Sequence, residues 1–364
     1  MDAVNALTRE LVAVPEADAE TVAGDRLERW LRTETDAAVT RDATGNVIAR
    51  RAGDSPSLAL IGHHDVVPPA TGQVADGEHT FTERDGRFYG RGTADMKGAV
   101  AAMAVAFRDA DPDAALVFAS FVGEEIGGEG ARAAIEDGFE PAYAIVGEGS
   151  TGYSAPGLTD VVVAHRGRRA STLTAPGEAA HASEPEHGDN AIYHACDAIA
   201  GVRDLDAPTA TVLGHELTGT VTVTEIDGGT AWNVIPDTCT ITIDERTVPD
   251  ARADLEAVAT AAGVDWTVDQ DLPPMACDDP GYADAVREIA TTVQDTVPEQ
   301  VTKPHATDAG WLAQAGTTCL VCGPAEPGEA HTDDESVAIA VLDRCYQLYR
   351  DLADGWPPTG LASE

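Results

Sequence analysis

Lysine is nearly missing from this chain: Lys97 and Lys303 are the only two among 364 residues. Lysine and arginine together number 23 against 63 aspartates and glutamates, a formal net charge of -40. A surface this acidic repels nucleic acid and anionic membranes, so neither is expected as a partner. The charge is spread along the chain and forms no tail, which fits a solvated acidic shell suited to a very salty cytoplasm. Salt screens the self-repulsion of such a shell, with a Debye length of roughly 3 Å at 1 M.

Cysteine is scarce too. Six in a chain of this length do not make a disulfide scaffold. Cys319 and Cys322 form a lone Cys-x-x-Cys in a strand-like segment, whose alternation sends the two thiols to opposite faces. No second pair follows to complete a zinc or redox motif. Long apolar runs are also lacking; the longest, near Ala99 to Phe107, is too short to span a bilayer. The start, Met1-Asp2-Ala3-Val4, has neither the basic residues nor the apolar run of a secretory signal, so the expected location is the cytoplasm.

At 364 residues the chain has room for two domains and a substantial core. Helical periodicity covers roughly 4–14 and 20–33, and a hairpin turns at Ala43-Thr44-Gly45-Asn46. Strand 57–61, helix 97–108, strand 114–121, helix 129–137 and strand 142–146 then alternate, which implies a mostly parallel sheet covered by helices. Near Thr159 the pattern changes. Segments 160–165, 170–174, 219–224 and 238–243 alternate β-branched and polar residues, as half-exposed antiparallel strands do, with helices near 190–199 and 251–262. After Leu272-Pro273-Pro274 the first pattern returns, with helix 281–294, strand 317–321 and helix 336–352. The fold class expected is therefore α/β with an inserted α+β unit. Residues 1–165 and 272–364 form one discontinuous domain and 166–271 the insertion. Only the tail after Trp356-Pro357-Pro358 looks loose.

Five short segments carry the chemistry: Gly62-His63-His64-Asp65-Val66, Thr93-Ala94-Asp95-Met96-Lys97-Gly98, Gly123-Glu124-Glu125, Gly147-Glu148-Gly149 and Ala330-His331-Thr332-Asp333-Asp334-Glu335. In each, an imidazole or carboxylate stands where small apolar residues give way to glycine, the usual mark of a buried strand's end. Side chains at the carboxyl ends of parallel strands converge on one crevice. Two histidines and three carboxylates meeting there suit zinc, and five ligands fit two ions sharing one carboxylate better than one closed shell. Paired ions point to metal-assisted hydrolysis. One carboxylate cannot ligate and also shuttle protons, so the adjacent Glu124 and Glu125 can divide the work, one to the metal and the other to the water and the leaving amine. Asp65, two residues past His63, can accept the imidazole's other N–H, while His64 faces the other way.

The segments resemble the M20 metallopeptidases of clan MH, which include acetylornithine deacetylase, succinyl-diaminopimelate desuccinylase, aminoacylases and glutamate carboxypeptidase. The resemblance runs from about residue 5 to 353 and implies a zinc-exopeptidase-like domain carrying an inserted lid and dimerisation domain. It implies that His63 and Glu148 hold one zinc, that Glu125 and His331 hold the other, and that Asp95 bridges both, with a cis peptide after Asp95. It makes Glu124 the general base and Asp65 the partner behind His63. Cobalt can stand in for zinc, and a homodimer through the insertion is expected. In the insertion, His181 of Gly177-Glu178-Ala179-Ala180-His181 would donate to the oxyanion, often from the partner subunit. Asn233 and Arg246 would grip the substrate, although Arg246 could equally pair with Asp244 along one strand. Arg168 stands where desuccinylases place an arginine for the acyl carboxylate. The loop Lys303-Pro304-His305-Ala306-Thr307-Asp308 and Glu326 depart from the desuccinylase pattern and leave the acyl group open.

The expected function is a di-zinc amidohydrolase acting on a small N-acyl amino acid in lysine or arginine biosynthesis, as N-succinyl-LL-diaminopimelate desuccinylase or N-acetylornithine deacetylase. A metallo-carboxypeptidase of short peptides would use the same core. A non-catalytic binding relative would normally lose ligands or the base, and all are kept here.

Overall fold

The computed structural model describes residues 2–358 and 361, so the tail expected to be loose falls largely outside them. The chain forms two compact units. One takes in the chain up to Ala164, Met275–Lys303 and the chain from Thr307 onward; the other takes in His165–Pro274 and Pro304–Ala306.

In the first unit, helices α1 (Asp2–Val12) and α2 (Ala19–Glu34) precede a hairpin of β1 (Ala38–Arg41) and β2 (Val47–Arg51). Asp42 sets its turn: one carboxylate oxygen accepts the N–H groups of Thr44, Gly45 and Asn46 at 2.8–3.0 Å. Strand β3 (Asp54–His63), helix α3 (Gly98–Asp109) and strand β4 (Ala114–Phe121) make a parallel crossover. Helix α4 (Glu129–Glu136) leads to β5 (Tyr143–Val146), parallel to β3 on its other side, and β6 (Val161–His165) follows.

The second unit is an antiparallel sheet of β7 (Arg168–Pro176), β8 (Thr220–Gly228), β9 (Thr238–Arg246) and β10 (Asp265–Leu272), in the order β8-β9-β7-β10. Helices α5 (Ala191–Arg203) and α6 (Leu255–Ala262) close its apolar face over Leu173, Ala175, Ile241 and Ile243. The last strand was not expected. Its acidic residues Asp265, Asp269 and Asp271 are poor strand formers, and its burial does not alternate regularly.

The first unit resumes with α7 (Pro280–Thr292), α8 (Asp308–Gln314), β11 (Thr318–Val321) and α9 (Ile339–Asp354). Helix α8 was also not anticipated, and Ser336–Ala338, expected as the start of α9, instead pairs with Arg87–Tyr89. Strand β11 joins β5 in parallel and β6 antiparallel. Among the described residues this sheet has nine strands. Its centre, β4-β3-β5-β11, is parallel, and antiparallel pairs flank it.

Strands at the parallel centre are apolar on both faces, as β4 (AALVFASF) illustrates, because helices cover each side. Helix α3 is buried from Gly98 to Phe107, and its alanines let it pack closely against α9 and α1. Two glycines make room where strands and this helix meet. A Cβ on Gly62 would stand 2.7 Å from Met96 Cε, and one on Gly147 would stand 2.9 Å from the same atom. Met96 therefore plugs the space that glycine leaves at the ends of β3 and β5.

The exit of β4 is clamped by Asn46, which is fully buried. Its Oδ1 accepts the Val122 N–H at 3.0 Å and its Nδ2 donates to the Gly130 carbonyl at 2.9 Å. Asn46→Ala would orphan both buried groups, at about 1–3 kcal/mol each. Denaturant unfolding in molar salt should show a loss of about 2–4 kcal/mol. A change below about 0.5 kcal/mol would mean that the clamp is idle.

Candidate metal centre

The parallel register aligns the ends of three strands. His63 closes β3 opposite Phe121 of β4, and Ile61 stands opposite Val146 of β5. The chain then turns out of the sheet at Gly123-Glu124-Glu125 and Gly147-Glu148. Asp95 and His331 arrive differently, which corrects the expectation that all five segments end strands. Asp95 lies in the turn Thr93–Lys97 that leads into α3, and His331 lies in a loop after β11. Glycine next to an acidic residue marks a tight turn as readily as a strand end. The Asp95–Met96 peptide is cis, as the resemblance implied, and His331 holds a left-handed backbone with φ 61°.

Asp95 stands between two imidazoles. Its Oδ1 lies 3.1 Å from His63 Nε2, and its Oδ2 lies 3.0 Å from His331 Nε2. Glu148 Oε1 lies 3.2 Å from His63 Nε2, and Glu125 Oε1 lies 3.0 Å from His331 Nε2. Five side chains thus form two triads sharing one carboxylate. Mutual donor distances also gather Glu124 with His63 and Glu148, so Glu124 faces the same centre. A tetrahedron of 2.0–2.1 Å bonds has edges of about 3.3 Å. The observed separations match that edge, and the N/O donor set suits zinc.

The two halves differ in exposure. The His63 side chain is 2% exposed and that of His331 is 50% exposed, so one half is sealed and the other opens to solvent. Behind His63, Asp65 Oδ1 lies 3.3 Å from Nδ1, which leaves Nε2 to face the centre. Asp65 Oδ2 accepts the Glu125 N–H at 3.1 Å, so one carboxylate reaches a member of each triad. His64 points away, its Nδ1 2.9 Å from Ser120 Oγ, and burial lowers it to about 3.

Charge sets the proton affinities. Burial opposes a charged ring at His63, but bonds to Asp65, Asp95 and Glu148 outweigh it and raise its pKa well above the usual range. Bonds to Asp95 and then Glu125 raise His331 to about 10. Burial lifts Glu124 well above an ordinary glutamate, against the pull of His63 and with help from Asp308. Asp308 itself, raised by burial to about 7, has one buried oxygen without a hydrogen-bond partner.

Three residues of this neighbourhood were given no role by the sequence. Lys303 Nζ donates to the Gly149 carbonyl at 2.8 Å and lies 3.5 Å from Glu148 Oε2. Lys97 is fully buried, and its Nζ has no partner. Glu335, one turn past His331, reaches the Asp95 turn. The signal for the lysines was rarity: in a chain that has discarded this residue elsewhere, the two survivors are interior.

In the second unit, Ala180–His181 pairs with Val234–Ile235, which brings His181 and Asn233 together at 3.5 Å. The Ser183 N–H donates to His181 Nδ1 at 3.2 Å. The neutral ring therefore carries its proton on Nε2, and we assign the Asn233 amide with its oxygen toward that nitrogen. Arg168 and Arg246 both bind Asp244, each through Nε at 2.8 Å, and Arg168 also donates to Gln270 at 3.2 Å. The strand ion pair expected as one reading of Arg246 is present.

The peptidase family M20/M25/M40 model matches residues 59–355. The chain belongs to that family. This M20 chain is 30% identical over 319 residues to the acetylornithine deacetylase of Vibrio campbellii, covering 82% of this chain and 81% of the relative. It is 30% identical to the succinyl-diaminopimelate desuccinylase of Stenotrophomonas maltophilia, covering 97% and 99%. Its fold is that of aminopeptidase PepT from Bacillus cereus, with a TM-score of 0.77 at 20% identity over 97% and 98% of the two chains. It is also that of the YXEP protein of Bacillus subtilis, described as a dinuclear metal-binding peptidase, with a TM-score of 0.69 at 17% identity over 96% of each. The family and the named relatives make it a hydrolase acting on amide bonds. No helix among the described residues is long and apolar enough to cross a membrane.

Imidazolium cannot ligate, so if His63 and His331 hold metal, protons would compete for both rings and loading the centre would release protons. Lowering the pH refills both rings and weakens binding; raising it strengthens binding. Calorimetric zinc affinity of the M20 chain should rise at least tenfold from about pH 6 to pH 8. A flat profile would mean that neither histidine ligates.

Proposed function

We propose that this chain is a di-zinc amidohydrolase of N-acyl amino acids, with succinyl-diaminopimelate or acetylornithine as the substrate type. The observation that carries the reading is Asp95, whose two oxygens face different histidines at 3.0–3.1 Å. His63, Glu148 and Asp95 would hold one ion, and His331, Glu125 and Asp95 the other. The ions, when bound, would polarise the amide carbonyl and acidify the attacking water. Cobalt would fit the same donors.

The chain's own groups do the rest. Glu124 takes a proton from water as the oxygen bonds to the carbonyl carbon, then passes it to the amide nitrogen as the C–N bond breaks. A free acid and an amine result. Burial among carboxylates raises the proton affinity of Glu124, which suits it to both steps. His181 Nε2–H would donate to the oxyanion. Two guanidinium groups share one carboxylate at Asp244, which leaves positive charge for a substrate carboxylate, with Asn233 beside His181. The first unit would be catalytic; the second would be the lid and the surface of a homodimer. We place the enzyme in a salty cytoplasm, its acidic shell screened by salt. Cleavage of short peptides by the same core is the second reading, favoured by the open half at His331.

Turnover of N-succinyl-diaminopimelate, N-acetylornithine and a dipeptide, in molar potassium chloride with zinc, separates these readings. Inactivity on all three, with two zinc ions bound, would refute both. Glu124→Gln should keep its zinc in elemental analysis and lose at least a thousandfold in kcat. A variant keeping more than about a tenth of wild-type turnover would remove Glu124 as the base.

His181→Ala should lower kcat by about 10²–10³ with folding and metal content unchanged. Mixing it with Glu124→Gln chains then tells where His181 acts. Recovered activity in proven heterodimers places it across a dimer, and no recovery places it within one chain. Unchanged kcat in the single mutant would reduce it to a lid-surface residue.

A further inference from the structure

Glu335 is 1% exposed, and its whole hydrogen-bonding capacity is spent on one turn. Its Oε1 accepts the N–H groups of Gly92, Ala94 and Asp95 at 2.9, 3.0 and 3.1 Å. Its Oε2 accepts from Arg91 Nη1 at 2.6 Å, and Arg91 is itself 3% exposed. The Gly90 N–H donates to the Glu335 carbonyl at 3.1 Å. A run of backbone N–H groups aimed at one point is a nest that ordinarily takes an anion from solution. Here the anion comes from the chain itself, four residues after His331.

That short tether matters because its two ends serve different elements. Asp95 gets its backbone position from Glu335, while His331 gets its position from the loop that Glu335 terminates. The loop is stapled further by Gln73, which donates to the Thr332 carbonyl at 3.1 Å, and by the Arg87–Glu329 pair. We propose that Glu335, charge-balanced by Arg91, is a positioning residue that fixes the Asp95 turn and the His331 loop as one ligand frame. It touches neither substrate nor metal; it sets the distance between two groups that do. The proposal rests on the di-metal reading above.

The test uses the full chain, stripped of metal, in molar potassium chloride. Cobalt and zinc are titrated calorimetrically, and the cobalt absorption spectrum is recorded. Wild type should bind two ions; failure to bind any would refute the di-metal reading itself and so be told apart from failure of this proposal. Glu335→Gln keeps the shape and an oxygen for the nest, but turns an amide N–H₂ toward the Arg91 guanidinium. Affinity should fall 10–100-fold, as for other residues that orient ligands, with a changed cobalt spectrum. A residue that merely supports the fold would lower the melting temperature of the metal-free chain and leave both metal readouts alone. A folded Glu335→Gln chain with affinities within threefold of wild type and the same spectrum overturns the proposal. Should that variant not fold, Arg91→Gln, which leaves the nest filled, should fall about tenfold, and an unchanged affinity there is equally decisive. The double variant restores a neutral amide pair and should recover part of the loss relative to Glu335→Gln.

Discussion

Carboxylate repulsion is the constraint on which this molecule is organised. Asp65, Asp95, Glu124, Glu125 and Glu148 converge on one centre, with Asp308 close enough to raise the proton affinity of Glu124. Like charges this close hold together only against positive charge, whether from cations or from protonated rings. Each neighbouring feature can be understood as an answer to that charge: the Lys303 ammonium beside Glu148, the Arg91 guanidinium beside Glu335, and the two imidazoles that share Asp95. Two divalent cations would answer it most fully, which is why the donor set suits a pair of them.

The parallel sheet makes such convergence affordable in geometry. Strand ends are rigid and evenly spaced, so three carboxylate-bearing turns and a histidine can be aimed at one point. The other two members of the centre, Asp95 and His331, come from turns, and those need support of their own. Met96, seated where Gly62 and Gly147 lack side chains, anchors the residue after Asp95 against the sheet. Asn46 does the same for the chain leaving β4.

Much of this was legible in the sequence because it is local. His63, Glu124, Glu125 and Glu148 follow apolar runs that could only be buried strands, and the hairpin at Asn46 announces itself through its turn residues. Asp95 and His331 were legible as motif members, though not as strand ends. What stayed hidden depends on distant pairing. Asn46 meets Val122, Lys303 meets Glu148 and Glu335 meets Gly92, and no spacing rule connects such positions. Arg246 and Asp244 stand two apart on β9 and so project from the same face, which is why a strand ion pair was readable there. Acidic composition also hid structure: β10 carries Asp265, Asp269 and Asp271, which are poor strand formers, and its burial does not alternate regularly, so the segment looked like loop.

The fate of the two lysines has a practical side. Lys97 is sealed and Lys303 is 7% exposed, so no lysine among the described residues offers its amine freely to solvent. Reagents that tag, immobilise or crosslink proteins through side-chain amines therefore meet an almost inert coat of carboxylates. Labelling that did occur would have to open the interior first, so that a single modified lysine would report the opening of the centre's surroundings and not a surface accident. Conjugation to this protein is a carboxylate problem, and amine chemistry becomes a gauge of its integrity.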